Sequence, residues 1–238
     1  MIAQLDLGEI SVDVTFKNIK NLHLSVYPPT GQVRIAAPTR MSLDTIRIYA
    51  ISKLDWIKRQ RQKLREQARE TPREYVDRES HYLWGKRYLL AVVEADRTAQ
   101  IEVSHSHLVL HVNTPATEER KQRILAAWYR EQMRDAVFSL IERLIPVIGV
   151  KVEKFYVRQM KTKWGSCNPT AQSIRLNTEL AKKPKECLEY IVVHELIHLL
   201  EPTHNARFIT LMDRFMPSWR LRRDQLNELP VRHEEWRY

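Results

Sequence analysis

Two histidines four residues apart, His194 and His198, stand in the most apolar stretch of the chain, Tyr190 to Leu200. Val192, Val193, Leu196, Ile197, Leu199 and Leu200 surround them, so a helix here is buried on most of its faces. At about 100° per residue, positions four apart lie one turn up the same helix face. Two imidazoles and the neighbouring Glu195 carboxylate are thereby committed to an apolar interior, where unpartnered polar groups are costly. Glu201-Pro202 then breaks the helix, because proline disfavours the helical conformation in the residue before it and cannot continue the hydrogen-bond ladder. A chain that reverses at this point can bring His204, ten residues beyond His194, back to the same face.

Three imidazoles converging on one point form the donor set of a catalytic zinc ion, Zn2+, which takes three protein ligands and leaves one position open for water. His194, His198 and His204 are the candidate metal ligands, and Glu195 is the candidate base that takes a proton from water and hands it to a leaving group. The same ten-residue span occurs in metzincins, which place a glycine where this chain has Glu201, so the backbone here must turn by another path. Tyr190, Arg158 and Arg207 are the candidates for stabilising a developing oxyanion, chosen only by nearness in sequence.

The rest of the chain bounds the setting. At 238 residues, with 43% apolar and 29% charged residues and few Gly or Pro, it can bury a sizeable core, and disordered or low-complexity readings fail. Cys167 and Cys187 are too few for a disulfide framework, and Met1 opens onto a polar stretch instead of a secretion signal, so a cytoplasmic location is expected. No apolar run reaches the roughly 20 residues of a membrane span. The formal charge of +10 favours anionic partners.

Alternation predicts three short antiparallel strands through Ile10 to Ile35, with a turn at Pro28-Pro29, and helical spacing predicts one long helix from Ser42 to about Arg69, closed near Thr71-Pro72. Strands follow at Tyr82 to Trp84, Tyr88 to Val93, Ile101 to Val103 and Leu108 to Val112, with a turn at Gly85-Lys86. Thr114-Pro115 opens a second long helix, with Pro146 near its end, running to about Gly149 on a stripe that includes Ile124, Trp128, Val137 and Leu144. A strand at Lys154 to Met160, a loop at Gly165 to Thr170, a strand at Ser173 to Asn177 and a helix after Pro184 lead into the histidine segment. Short helices at about 205–215 and 218–228 finish the chain. The expectation is an α+β fold: residues 1–113 form a strand-rich region with a long helix, and residues 114–238 form a catalytic domain whose active-site helix packs on a small sheet. No internal repeat is visible.

Arg158 to Cys167, then Ile174-Arg-Leu-Asn177, His194-Glu-Leu-Ile-His198, His204-Asn205-x-x-Phe208 and Pro217-x-Trp219 together resemble the YgjP-like metallopeptidase family, related to the SprT and Wss-type zinc proteases. The resemblance is specific over about residues 153–219. It implies a zincin-like catalytic half, zinc on His194, His198 and His204, and Glu195 as acid/base. It also implies a strand pair around Trp164 to Asn177 beside the cleft, where an edge strand can hold an extended peptide or unfolded protein. Trp164, Gly165, Ser166 and Arg158 are then the candidate substrate contacts. Members of that family are also described as nucleoside triphosphate pyrophosphatases, acting on UTP for example, and Arg158, Lys161, Lys163 and Arg175 would suit a triphosphate. A third reading, resting on charge alone, is a nucleic-acid-associated binding module with a structural metal.

Other residues have plainer readings. Cys167 is expected as a small buried side chain and not a ligand. His105, His107 and His111 lack a carboxylate or cysteine spaced to complete a metal set and read as solvated surface, and His233 beside Glu234 and Glu235 reads as a polar tail. The run Lys58 to Arg65 reads as the solvated face of an amphipathic helix, and Tyr82, Trp84 and Tyr88 as hairpin core.

Overall fold

The computed structural model describes residues 2–27, 31–66, 73–94, 98–113, 116–160 and 163–230. Pro28-Pro29, Thr71-Pro72, Thr114-Pro115, Lys161 and the His233-Glu234-Glu235 tail lie outside the described residues. The chain divides into two compact units, residues 1–70 with 233–238 and residues 71–232, and two separate apolar cores match them. A division near residue 113 would fall inside the second unit, between a sheet and a helix that share one core.

In the first unit β1 (Ile2–Leu7), β2 (Ile10–Lys17), β3 (His23–Tyr27) and β4 (Gln32–Pro38) form a sheet of order β1-β2-β4-β3. Alternation buries Val12 and Val14 of β2 and Val33 and Ile35 of β4. Where the pattern predicts three antiparallel strands there are four, and β2 runs parallel to β4 with Val12 opposite Val33. The predicted single helix is two, α1 (Leu43–Ser52) and α2 (Leu54–Glu66), and Ser42 caps α1 by accepting from the Thr45 amide at 3.2 Å. The break follows Ser52, whose hydroxyl donates to the Tyr49 carbonyl at 2.7 Å; a serine bonded back to the preceding turn favours a bend. Ile46, Ala50 and Ile57 are fully buried, while Lys58 and Arg59 face solvent as expected.

The second unit opens with β5 (Ser80–Leu83), β6 (Lys86–Glu94), β7 (Gln100–Val103) and β8 (His107–Val112), in the order β5-β6-β8-β7. The strand order and directions match those of the first sheet: the inner pair is parallel and both outer pairs antiparallel. The first hairpin of each sheet closes on two residues, Gly8-Glu9 and Trp84-Gly85. Trp84 and Gly85 both have positive φ, 52° and 80°, which moves the second turn one residue earlier than the sequence predicts. Tyr88 belongs to the core, Trp84 packs against it, and Tyr82 is exposed. His111 is buried with its Nε2 3.3 Å from Glu102, and His105 is exposed.

α3 (Glu118–Ile148) runs between a Thr117 cap and Gly149, which ends it in the left-handed conformation at φ 76°. Its buried stripe is Leu125, Tyr129, Met133, Val137, Ile141, Leu144 and Ile148; Ile124 and Trp128, one position earlier, are half-buried. The helix continues through Pro146. β9 (Lys154–Arg158), β10 (Gly165–Asn168) and β11 (Ser173–Asn177) then form a sheet of order β10-β11-β9. Residues 165–168, predicted as a loop from their composition, pair antiparallel with β11, Gly165 opposite Leu176. A 3-10 turn over Thr178–Lys182, α4 (Lys185–Ile197), α5 (Ala206–Phe215) and α6 (Trp219–Glu228) complete an α+β fold. Among the described residues no helix is long and apolar enough to cross a membrane.

Candidate metal centre

α4 is the spine of the second unit. Pro184 precedes its first turn, and Cys187, Leu188, Ile191, Val192, Val193, Leu196 and Ile197 are all buried. His194 and His198 fall on the stripe the core leaves half-covered. The helix ends at Ile197 with His198 as its cap, one turn before Pro202, and the Leu199 and Leu200 amides tighten to carbonyls three residues back. Glu201 Oε1 accepts from the Thr203 amide at 3.3 Å and from its hydroxyl at 2.8 Å, which fixes the turn across Pro202. Asn205 then caps α5 by accepting from the Phe208 amide at 3.0 Å. Held between these bonds, His204 returns to the other two histidines.

The Nε2 atom of His194 lies 3.2 Å from that of His198 and 3.1 Å from that of His204, and all three ligand atoms fall within 4.8 Å of one another. Nitrogens about 2.0–2.1 Å from a tetrahedral zinc are roughly 3.3 Å apart, so both separations from His194 match that ion. His198 Nδ1 lies 3.0 Å from the Glu201 carbonyl. A carbonyl only accepts, so Nδ1 carries the proton and Nε2 keeps its lone pair for a metal. Burial, reinforced by the like charges of His198 and His204, pushes His194 down to about 4, and burial also lowers His198. Neutral imidazole is the ligating form.

Glu195 is only 4% exposed, and burial pushes its carboxyl up to about 8, against an opposing pull from the Lys163 ammonium. Its carboxylate lies on the backbone of Gly165: a Cβ added there would sit 2.5 Å from Glu195 Oε1 and 2.8 Å from its Cγ. No side chain fits at 165 without moving Glu195. Asn177 clamps the segment leading into β10, donating through Nδ2 to the carbonyls of Met160 at 2.8 Å and Lys163 at 2.9 Å while its Oδ1 accepts from the Met160 and Glu179 amides. β10, an edge of its sheet, thus runs directly beside Glu195.

The candidate substrate contacts separate. Gly165 and Cys167 face α4, whereas Ser166 lies opposite Arg175 on the other face of the sheet, with Arg175 opposite Tyr156. Arg158 is on that same outer face, its guanidinium 5.5 Å from the Tyr156 ring. Strand alternation therefore takes Ser166, Arg158 and Arg175 away from Glu195, and of the described basic residues offered for a triphosphate only Lys163 acts on that carboxyl. Trp164 is half-buried against the core, with its carbonyl accepting from the Asn177 amide. Of the oxyanion candidates, Tyr190 is buried with its ring 5.9 Å from His194, and Arg207 is exposed on α5. Burial and the charge of Glu195 push the Cys167 thiol up to about 11, so it stays protonated and is a poor ligand.

Three roles carried no signal in the sequence: the bare backbone of Gly165, the clamp of Asn177, and Phe208, whose ring touches all three imidazoles. Gly165, Asn177 and Phe208 stand in the motifs that carried the family resemblance, but only contacts between distant elements reveal what they do.

The model of the YgjP-like metallopeptidase domain matches residues 20–229 of the chain. The chain belongs to the YgjP-like family. It is therefore a metallopeptidase by family, and such enzymes typically use zinc. No curated protein matches it. Among solved structures it is similar to the metallopeptidase zymogen of Pyrococcus abyssi abylysin, at 23% identity over 38% of this chain and 90% of that one, with a TM-score of 0.36. It is also similar to the metallopeptidase zymogen of Methanocaldococcus jannaschii jannalysin, at 24% identity over 40% and 95%, with a TM-score of 0.31.

Proposed function

We propose that this YgjP-like chain hydrolyses peptide bonds in extended or unfolded polypeptides, with a metal ion on His194, His198 and His204 and with Glu195 as the base. The observation that carries the reading is the convergence of three ring nitrogens, with the buried carboxylate of the residue after His194 lying against Gly165 of the edge strand β10. The chemistry a zinc ion supplies in such a site is Lewis acidity toward a carbonyl oxygen and easier deprotonation of water. Glu195 accepts the proton of the attacking water as its oxygen bonds to the scissile carbonyl carbon. The same carboxyl returns that proton to the amide nitrogen as the carbon–nitrogen bond breaks. β10 offers an unpaired strand edge on which a substrate segment can extend the sheet, and this places its backbone beside Glu195.

The test compares wild type with Glu195→Gln, both loaded with zinc, on unfolded casein and on a nucleotide panel. The expected result is peptide cleavage by wild type, a loss of about 10²–10⁴-fold in the variant at unchanged zinc content, and no pyrophosphate from any nucleotide. Pyrophosphate release without peptide cleavage overturns the peptidase reading.

A further inference from the structure

Metal-binding histidines are ordinarily oriented by a hydrogen bond from the second ring nitrogen. Here His198 has one, to the Glu201 carbonyl. Among the described residues, no protein hydrogen bond through Nδ1 accompanies it for His194 or His204. The contact they share is Phe208. Its ring centroid lies 5.0 Å from that of His194, 4.7 Å from His198 and 4.8 Å from His204. It lies tilted at 31° to the His198 plane and meets the other two edge-on, at 70° and 68°. The phenyl ring is 3% exposed, and the Asn205 cap on its amide fixes its backbone in the first turn of α5. A rigid ring so held restricts the side-chain rotation of each imidazole and keeps water from that side of the cluster.

We propose that Phe208 is a positioning residue for the metal: its ring, packed against His194, His198 and His204 together, holds their Nε2 atoms at the separation one ion requires. This rests on the reading that the three histidines bind the metal. A flat, stiff ring suits the task, whereas an aliphatic side chain of similar bulk leaves the imidazoles free to turn. Met212, also on α5 and fully buried in the same core, provides a packing control.

The experiment measures zinc affinity of the full-length, metal-free protein by competition with a chromophoric chelator, alongside its melting temperature. Wild type is compared with Phe208→Leu, Phe208→Met, Met212→Ala and His198→Gln. The expected result is zinc affinity weakened about 10- to 100-fold in both Phe208 variants. Met212→Ala should lower the melting temperature at least as much, with zinc affinity within about threefold of wild type. Wild-type zinc affinity in the Phe208 variants, with zinc lost in His198→Gln, overturns the role of Phe208 alone. Equal weakening in Met212→Ala also overturns it, since general packing would then account for the effect. Full affinity in His198→Gln instead removes the three-histidine site itself.

Discussion

At the scale of single residues, the site depends on one carboxylate and one missing side chain. Burial holds Glu195 at about 8 in the metal-free protein, so the fold favours its protonated form. That preference stabilises the fold fully below about 4.5 and is lost as pH rises through about 8, a change on the order of 5 kcal/mol. Metal-free Glu195→Gln should therefore melt above wild type at about pH 8.5 and close to it at about pH 4; parallel melting curves across that range would contradict the burial described here. Gly165→Ala puts a methyl group where the Glu195 carboxylate lies. Its expected effect is a fall in kcat of about 100-fold with zinc content unchanged, since a base displaced by about 1 Å costs that much. The spacing of His194, His198 and His204 and the Pro202 break were legible in sequence because both are local. The need for glycine at 165 was not, because the atom it avoids lies thirty residues away.

At the scale of elements, legibility follows how far each element's cause is local. The α4, α5 and α6 helices and the cap at Ser42 match their sequence signals, since periodicity and capping are read within a few residues, whereas the Thr117 cap of α3 was not anticipated. β10 follows from the family resemblance but not from its own residues, because Gly-Ser-Cys-Asn has little strand propensity; it is a strand by virtue of pairing with β11. β1 was hidden because Leu5 is its one fully buried described side chain, and the parallel β2–β4 pairing leaves no mark on either strand. The break after Ser52 depends on a side-chain bond that periodicity does not register. At the end of α3, Gly149 has a φ of 76° and open space around it, so Gly149→Ala adds strain without a clash. It should destabilise the protein by about 1 kcal/mol in urea melts and leave zinc content unchanged.

At the scale of the whole molecule, two sheets of the same strand order belong to two separate cores, and the three-histidine cluster belongs wholly to the second unit. A division placed at residue 113 would cut one core, because β8 and α3 both contribute to it; a division near residue 70 leaves both intact. Limited proteolysis should thus yield a lasting fragment that begins near residue 70 and retains zinc, and a lasting fragment beginning near 113 would contradict the shared core. The central claim is that one metal ion sits on three imidazoles with Glu195 beside them and not among the ligands. Elemental analysis of zinc-loaded, dialysed wild type, Glu195→Gln and His204→Gln tests it most directly. One zinc per chain is expected in the first two and almost none in the third; a full equivalent retained by His204→Gln, or zinc lost from Glu195→Gln, would contradict it.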